Sequence, residues 1–185
     1  MTEWIEKSLG ELTDFMSKGI SPKYIETENK HTIRVLNQKC NRNFEISYSD
    51  ARLHNNAIKK VSTDKMLREG DVLINSTGTG TAGRVAQIMK VPVPTTIDGH
   101  MILLRPTDEI DSLYYGYAIK AYQSKIESLA EGSTGQTEIN RKRLKDEIVI
   151  RYPIEHKVQH AIGKFLMEID EKIKTNTYIN NNLAV

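Results

Sequence analysis

Cysteine is nearly missing: Cys40 is the only one in 185 residues. A single thiol excludes an intramolecular disulfide and a cysteine-built zinc site, and it fits a reducing, cytoplasmic setting. Long apolar runs are missing too. Nothing approaches the roughly 20 residues that cross a bilayer, so no membrane partner is expected. The opening Met-Thr-Glu-Trp-Ile-Glu-Lys is too charged for a secretory leader. Net charge is small, at +2, so any affinity for nucleic acid must come from local clusters. With 38% hydrophobic and 27% charged residues, the chain has the apolar mass for one core.

Catalytic patterns are equally scarce. No G-x-S-x-G elbow, Walker lysine or paired-cysteine motif occurs. His156 and His160 stand four apart, as two metal ligands on a helix would, but a third ligand and the zincin glutamate are lacking. Asp14, Asp50, Asp64 and Asp98 are scattered over turns and caps, where aspartate is favoured anyway. No catalytic or metal-binding residue is nominated, and no cofactor is expected on this chain. A binding module is the expectation.

What is present centres on Asp71 to Met89. Val72-Leu-Ile74 follows Gly70-Asp71 and reads as a buried strand. It opens into a small-residue loop with the hydroxyls Ser76, Thr77, Thr79 and Thr81, then Arg84 leads a second strand-like run, Val85 to Met89. Such a loop exposes short donors and backbone N–H groups that suit a phosphate backbone or a base edge. Gly78-Thr-Gly-Thr-Ala-Gly83 also matches the dinucleotide fingerprint G-x-G-x-x-G. That motif needs a helix opening at its third glycine, whereas barely two turns fit before Val91-Pro-Val-Pro94. A dinucleotide-dependent enzyme and a plain Gly-rich hairpin loop remain the alternatives.

Elsewhere, Lys7 to Lys18 reads as a short helix or turn, Thr32 to Leu36 as a strand, and Asn37 to Asn43 as a polar, basic loop with Gln38, Lys39 and Arg42. Ser49 to Lys60 has moderate helix preference, Thr63 to Arg68 suits a helical turn, and Met101-Ile-Leu-Leu104 is strand-like. Asp111 or Ser112 caps a helix that runs to Glu131-Gly132, with Tyr114, Tyr115 and Tyr117 as packing surface. A second hydroxyl-rich loop carries Ser133, Thr134 and Gln136 into the densest basic cluster, Arg141, Lys142 and Arg143. Glu147 to Tyr152 reads as a closing strand.

From Glu155 the pattern turns to sustained helix of roughly 30 residues, about 45 Å long. Val158, Ile162, Phe165, Ile169 and Ile173 recur at three- and four-residue steps, and Ile179 and Leu183 extend the row. This stripe must bury against a second copy or a partner helix. The asparagines 176 and 180–182 near it would weaken the pairing while fixing its register. A domain boundary is therefore expected at 153/154.

The segments Gly70 to Val85 and Gly132 to Leu144 resemble the specificity subunit of type I restriction–modification systems. So do Ile169 to Leu183 and, more weakly, Leu9-Gly-Glu-Leu12. The resemblance covers essentially the whole chain at half the usual length, with one recognition domain and one spacer helix. It implies an α+β fold: a target-recognition domain with a β core and peripheral helices over 1–153, then a coiled-coil-type spacer and dimerisation helix over 154–185. It further implies a non-catalytic subunit that reads one half of a bipartite site in double-stranded DNA and docks modification subunits. S-adenosylmethionine would sit on those partners, a restriction subunit could join, and two copies could pair antiparallel through the terminal helix. The expected DNA contacts are Ser76, Thr77, Thr79, Thr81 and Arg84, with Ser133, Thr134, Gln136, Arg141, Lys142 and Arg143; Lys39 and Arg42 are weaker candidates. A helical interaction protein, or decoy that does not read DNA, would share the docking without the base preference.

Overall fold

Two continuous apolar runs, Val72-Leu-Ile74 and Met101-Ile-Leu-Leu104, set the centre of the computed structural model, which describes residues 2–132 and 137–183. In chain order the first strands are β1 (Trp4–Ser8), β2 (Thr13–Lys18), β3 (Tyr24–Ile25), β4 (Thr32–Leu36), β5 (Asn41–Arg42), β6 (Glu45–Ile46) and β7 (Arg52–Asn55). Then come β8 (Val72–Asn75), β9 (Val85–Gln87), β10 (Thr95–Ile97), β11 (Met101–Pro106), α1 (Ser112–Ala121) and α2 (Gln123–Ser128). The chain closes with β12 (Ala130–Glu131), β13 (Glu138–Ile139), α3 (Arg141–Glu147), β14 (Val149–Pro153) and α4 (His156–Leu183).

The central sheet has the order β2-β11-β8-β9 and is antiparallel throughout. Side chains alternate across a strand, and here both faces are covered. Val72, Ile74, Ile102 and Leu104 enter the larger core with Tyr115, Ile119, Ile126, Leu144 and Tyr152. Their neighbours Leu73, Met101 and Leu103 enter a second core with Leu36, Cys40 and Ile97. That is why these strands read as unbroken apolar runs rather than as alternation. A second sheet, β10-β4-β7-β3, lies on the Leu36 side, with β10 parallel to β4. β1 pairs antiparallel with β14, Trp4 opposite Pro153 and Ser8 opposite Val149, so the two ends of the body are tied together.

A buried ion pair fixes how the chain enters β8. Arg105 donates from Nε and Nη2 to the two oxygens of Asp71, each at 2.8 Å, and also reaches the carbonyls of Asp64 and Met66. Asp71 in turn accepts the Arg68 N–H at 2.8 Å. The side chains are 1% and 12% exposed, so the bidentate geometry offsets a large desolvation cost.

α4 packs its first half on α1. Gly163 lets the helices close: a Cβ there would stand 2.9 Å from the Tyr114 nitrogen. Gln159 is fully buried, accepting the Asp111 N–H at 2.6 Å and donating to the Pro153 carbonyl at 2.8 Å. Farther along, Tyr117 Oη and Lys120 Nζ both donate to Asp170. Burial, with Asp170 as an added cause, pushes the Tyr117 phenol well up from its ordinary value.

Several local expectations change. Lys7 to Lys18 is a pair of strands around a turn, because Leu9 and Leu12 reach the core from that turn rather than from one helix face. Arg52–Asn55 is a strand, not a helix, held between β4 and β3. The helix expected from 111 to 131 breaks at Tyr122 into α1 and α2. The basic cluster lies on a helix, α3, capped by Asn140, whose side chain accepts the N–H groups of Lys142 and Arg143. The terminal helix spans 28 residues.

Replacing Asp71 with Ala leaves the Arg105 charge buried and unpaired. The expected cost is about 3–5 kcal/mol, read from the midpoint of chemical unfolding. A change within 1 kcal/mol would show that solvent reaches the Arg105 guanidinium in the folded protein.

Candidate nucleic-acid interface

β8 and β9 form a hairpin whose long connection, 76–84, carries the hydroxyls and glycines singled out in the sequence. Val85–Gln87 is a strand, so no helix opens at Gly83, and the dinucleotide reading loses the helix N-terminus it requires. The loop instead folds back against three neighbours. On one side Gly83 lies on α2 with φ +88°, where a Cβ would stand 2.7 Å from the Glu127 Cα. At its start, Ile139 N–H donates to the Ser76 carbonyl at 2.8 Å, and Thr77 bridges Glu138. Glu138 also pairs with Lys18. On the third side the loop meets segment 38–50.

That third contact is built on buried amides. Asn41 Nδ2 donates to Asn75 Oδ1 at 3.2 Å and to the Arg84 carbonyl at 2.9 Å, while Asn75 Nδ2 donates to the Gln38 carbonyl at 3.1 Å. Both asparagines are fully buried. These three donated bonds hold the two backbone segments in one register, while Asn41 Oδ1 is left buried without a partner among the described residues. Between segment 38–50 and residues 78–84 lies an open cleft of about 840 Å³. Lys39, Arg42 and Arg84 line it as cations. Among the described residues none of the three is held in an ion pair. Glu45 and Asp50 supply carboxylates, and Lys174 of α4 pairs with Glu45 at 2.7 Å.

The nominated side chains separate by position. Thr79, Thr81 and Arg84 line the cleft, with Arg84 Nη2 donating to the Gly80 carbonyl at 3.0 Å. Thr77 is half-buried, its Oγ1 at 2.9 Å from His100 Nδ1. Ser76 is fully buried and offers its main chain to Ile139 and His100 rather than a hydroxyl to solvent. On α3, Arg141 is exposed at the first turn, and Lys142, equally exposed, pairs with Asp146. Arg143 is held by Glu131 and Glu147, which raise its already high pKa further. Ser133, Thr134 and Gln136 lie outside the described residues. The Thr77–Glu138 bridge therefore joins the glycine loop to the strand that leads into α3, but the cleft cations and the α3 cations are two separate groups. Tyr114, Tyr115 and Tyr117 are buried, as packing surface. No group of three potential metal ligands occurs among the described residues.

Asn41 and Asn75 carry no signal in the sequence, and Gln38 stands out there only as one polar residue of the 37–43 loop. Their roles depend on partners more than 30 positions away, and no local spacing encodes that.

On α4, Val158 and Ile162 are half-buried, Ile162 against the larger core. Phe165, Ile169, Ile173, Ile179 and Leu183 are exposed, Phe165 by 62% and Leu183 by 77%. No helix among the described residues is long and apolar enough to cross a membrane.

The chain is similar along residues 1–184 to the family described as type I restriction modification DNA specificity domain. No curated protein matches it. Among solved structures it is similar to a type I restriction–modification S subunit from M. genitalium, at 24% identity, TM-score 0.63, covering 94% of this chain and 41% of that one. It is also similar to the HsdS subunit from Thermoanaerobacter tengcongensis, at 18% identity and TM-score 0.66, covering 93% and 38%. A third similar chain belongs to a study of assembly and conformational transition in the type I R-M system, at 20% identity and TM-score 0.69, covering 93% and 39%. The chain thus spans about two fifths of the length of each.

Alanine at Gly80, which has φ +69° and open space around it, is expected to cost about 1 kcal/mol. Alanine at Gly83 adds a clash with the α2 backbone to the positive φ and should cost about 3 kcal/mol or more. Equal unfolding midpoints for the two variants would mean the loop does not press on α2.

Proposed function

The chain belongs to the family of type I restriction–modification DNA specificity domains, and on that premise we propose that it reads one half of a bipartite site in double-stranded DNA. Residues 1–153 serve as the recognition unit and residues 154–185 as spacer and docking helix. The chain itself carries out no chemistry; methyl transfer belongs to modification subunits, which bring the S-adenosylmethionine. The observation that carries the reading is the Thr77–Glu138 bridge, which brings the glycine loop and the approach to α3 to one edge of the body. Thr79 and Arg84, with Lys39 and Arg42, face DNA from the cleft, where Thr81 braces the wall; Arg141 and Lys142 hold phosphates from the first turn of α3. Ser133, Thr134 and Gln136, outside the described residues, remain candidates from the sequence alone. Arg143 serves chiefly to brace α3 against Glu131 and Glu147, and Ser76 to anchor the loop.

The apolar row of α4 supports a two-fold dimer. Phe165, Ile169, Ile173, Ile179 and Leu183 stay exposed over a helix that outruns the body. Antiparallel pairing of two copies would cover the row and set two recognition units at a fixed separation, in the isologous manner of two-fold contacts. A reading without DNA, in which the helix docks partners as a decoy, leaves the cleft cations without a use.

Selection from random-sequence duplexes by the chain bound to its modification subunit tests the whole proposal. An inverted repeat with a fixed spacer is expected. An asymmetric bipartite site would replace the homodimer with a second, unlike half-subunit, and no enrichment would leave the decoy. Separately, Arg84→Ala or Lys142→Ala should each lower the slope of log affinity against log salt by about one; an unchanged slope removes that residue from the phosphate contacts. Phe165→Asp combined with Ile169→Asp should shift the chain to monomer in analytical ultracentrifugation while leaving its melting temperature within a few degrees. Persistence of the dimer would place the contact elsewhere.

A further inference from the structure

Gln38 stands where the two walls of the cleft meet. Thr81 Oγ1 donates to its Oε1 at 3.0 Å, the nearer of the hydroxyl's two acceptors, the Thr77 carbonyl standing at 3.3 Å, and Asn75 Nδ2 donates to the Gln38 main-chain carbonyl at 3.1 Å. Backbone and side chain of this one residue are therefore both fixed from the opposite wall. The hydroxyl takes one of the two lone pairs of the amide oxygen, and Nε2 has no hydrogen-bond partner among the described residues. Glycine at 78 lets the loop close over this pair in its present arrangement. A Cβ at Gly78 would stand 2.4 Å from Gln38 Oε1 and 2.3 Å from Thr81 Oγ1, and its φ is +106°. In a match to the dinucleotide fingerprint, Gly78 would serve a tight turn beside a pyrophosphate; here it makes room for a glutamine amide.

The lining around it mixes signs and hydrogen-bonding senses. Lys39, Arg42 and Arg84 share the cleft with Asp50. A cleft meant only for phosphate gains nothing from a carboxylate, which repels that ligand. Distinguishing base edges, in contrast, requires donors and acceptors at defined places. An amide already held by a neighbouring hydroxyl loses less rotamer freedom when it binds than a free one.

We propose that Gln38 is a specificity-determining residue: Thr81 orients its amide so that Nε2 donates to an acceptor on one base edge, guanine O6 or N7 or thymine O4. Thr81 is a positioning residue, acting through Gln38. The inference rests on the DNA-reading function proposed above, and one experiment separates their failures.

Gln38→Glu keeps the shape and the Thr81 hydrogen bond but turns the outward donor into an acceptor. Random-sequence duplexes are selected with the wild-type chain, Gln38→Glu and Thr81→Val, each bound to the modification subunit, after melting curves establish that the variants fold. Gln38→Glu should switch the preferred base at a single position to a donor-presenting one, cytosine or adenine, with discrimination of roughly tenfold. Thr81→Val should relax preference at that same position, with the salt slope unchanged. If Gln38→Glu keeps the wild-type base at every position, or weakens all sequences equally, Gln38 does not read a base. Should Gln38→Glu fail to fold, Thr81→Val decides: relaxation at one position supports the inference, and a uniform change overturns it. A wild-type complex that enriches no sequence overturns the DNA-reading function and this inference together.

Discussion

The glycine loop between β8 and β9 is held by close approach rather than by covering side chains. At Gly83 the backbone lies on α2, at Gly78 it closes over Gln38 and Thr81, and at Ser76 it is sewn to β13. At the first contact a Cβ would meet the α2 backbone; at the second it would push aside the ends of Gln38 and Thr81. The positive φ values at both positions suit glycine for the same reason. With those approaches in place, one loop sets the distance between three parts of the body: the ribbon near 38–50, helix α2 and the approach to α3. Functional loops work best on a rigid scaffold, and here the loop's own backbone supplies part of the rigidity.

The remaining supports lead to the same region. The Asp71–Arg105 pair fixes the start of β8, and the buried Asn41–Asn75 amides fix its end, so the strand delivers the loop in one register. On the other side Phe44 packs on Tyr117 at a centroid distance of 5.1 Å and lies under Lys120. Lys120 and Tyr117 both hold Asp170 of α4, and Lys174 one turn later reaches Glu45. The helix whose outer row is uncovered is thus bound, through its inner side, to the ribbon that forms one wall of the cleft. The two surfaces share a single body.

Chemically similar side chains took different parts for reasons of position. Ser76 and Thr79 are both small hydroxyls of one loop, yet Ser76 is buried at the anchoring end and Thr79 is exposed over the cleft. Arg141 and Arg143 sit two apart, yet a helix turns them roughly 200° from each other. Arg143 consequently meets Glu147 one turn on and Glu131 from β12, while Arg141 points away. A run of like charges in sequence therefore overstates the charge available to a ligand.

By itself the chain already determined buried strands over 72–74 and 101–104, a helix cap at Asp111 or Ser112, the long terminal helix with its apolar row, and the polar character of the glycine loop. Each is local: side-chain periodicity, a capping aspartate or a run of small residues is written within a dozen positions. The resemblance carried by the segments at 70–85 and 132–144 pointed to the family in the same way. Tertiary structure alone decided that residues 7–18 form strands, because their pairing partners, β14 and β11, lie about 90 to 150 positions away. It also decided that segment 38–50 forms a wall of the cleft, that Arg143 is spent on carboxylates, and that Gln38 meets Thr81. Those outcomes depend on burial and on partners distant in the chain, and a free energy shared between distant residues leaves no periodic trace in either one's neighbourhood.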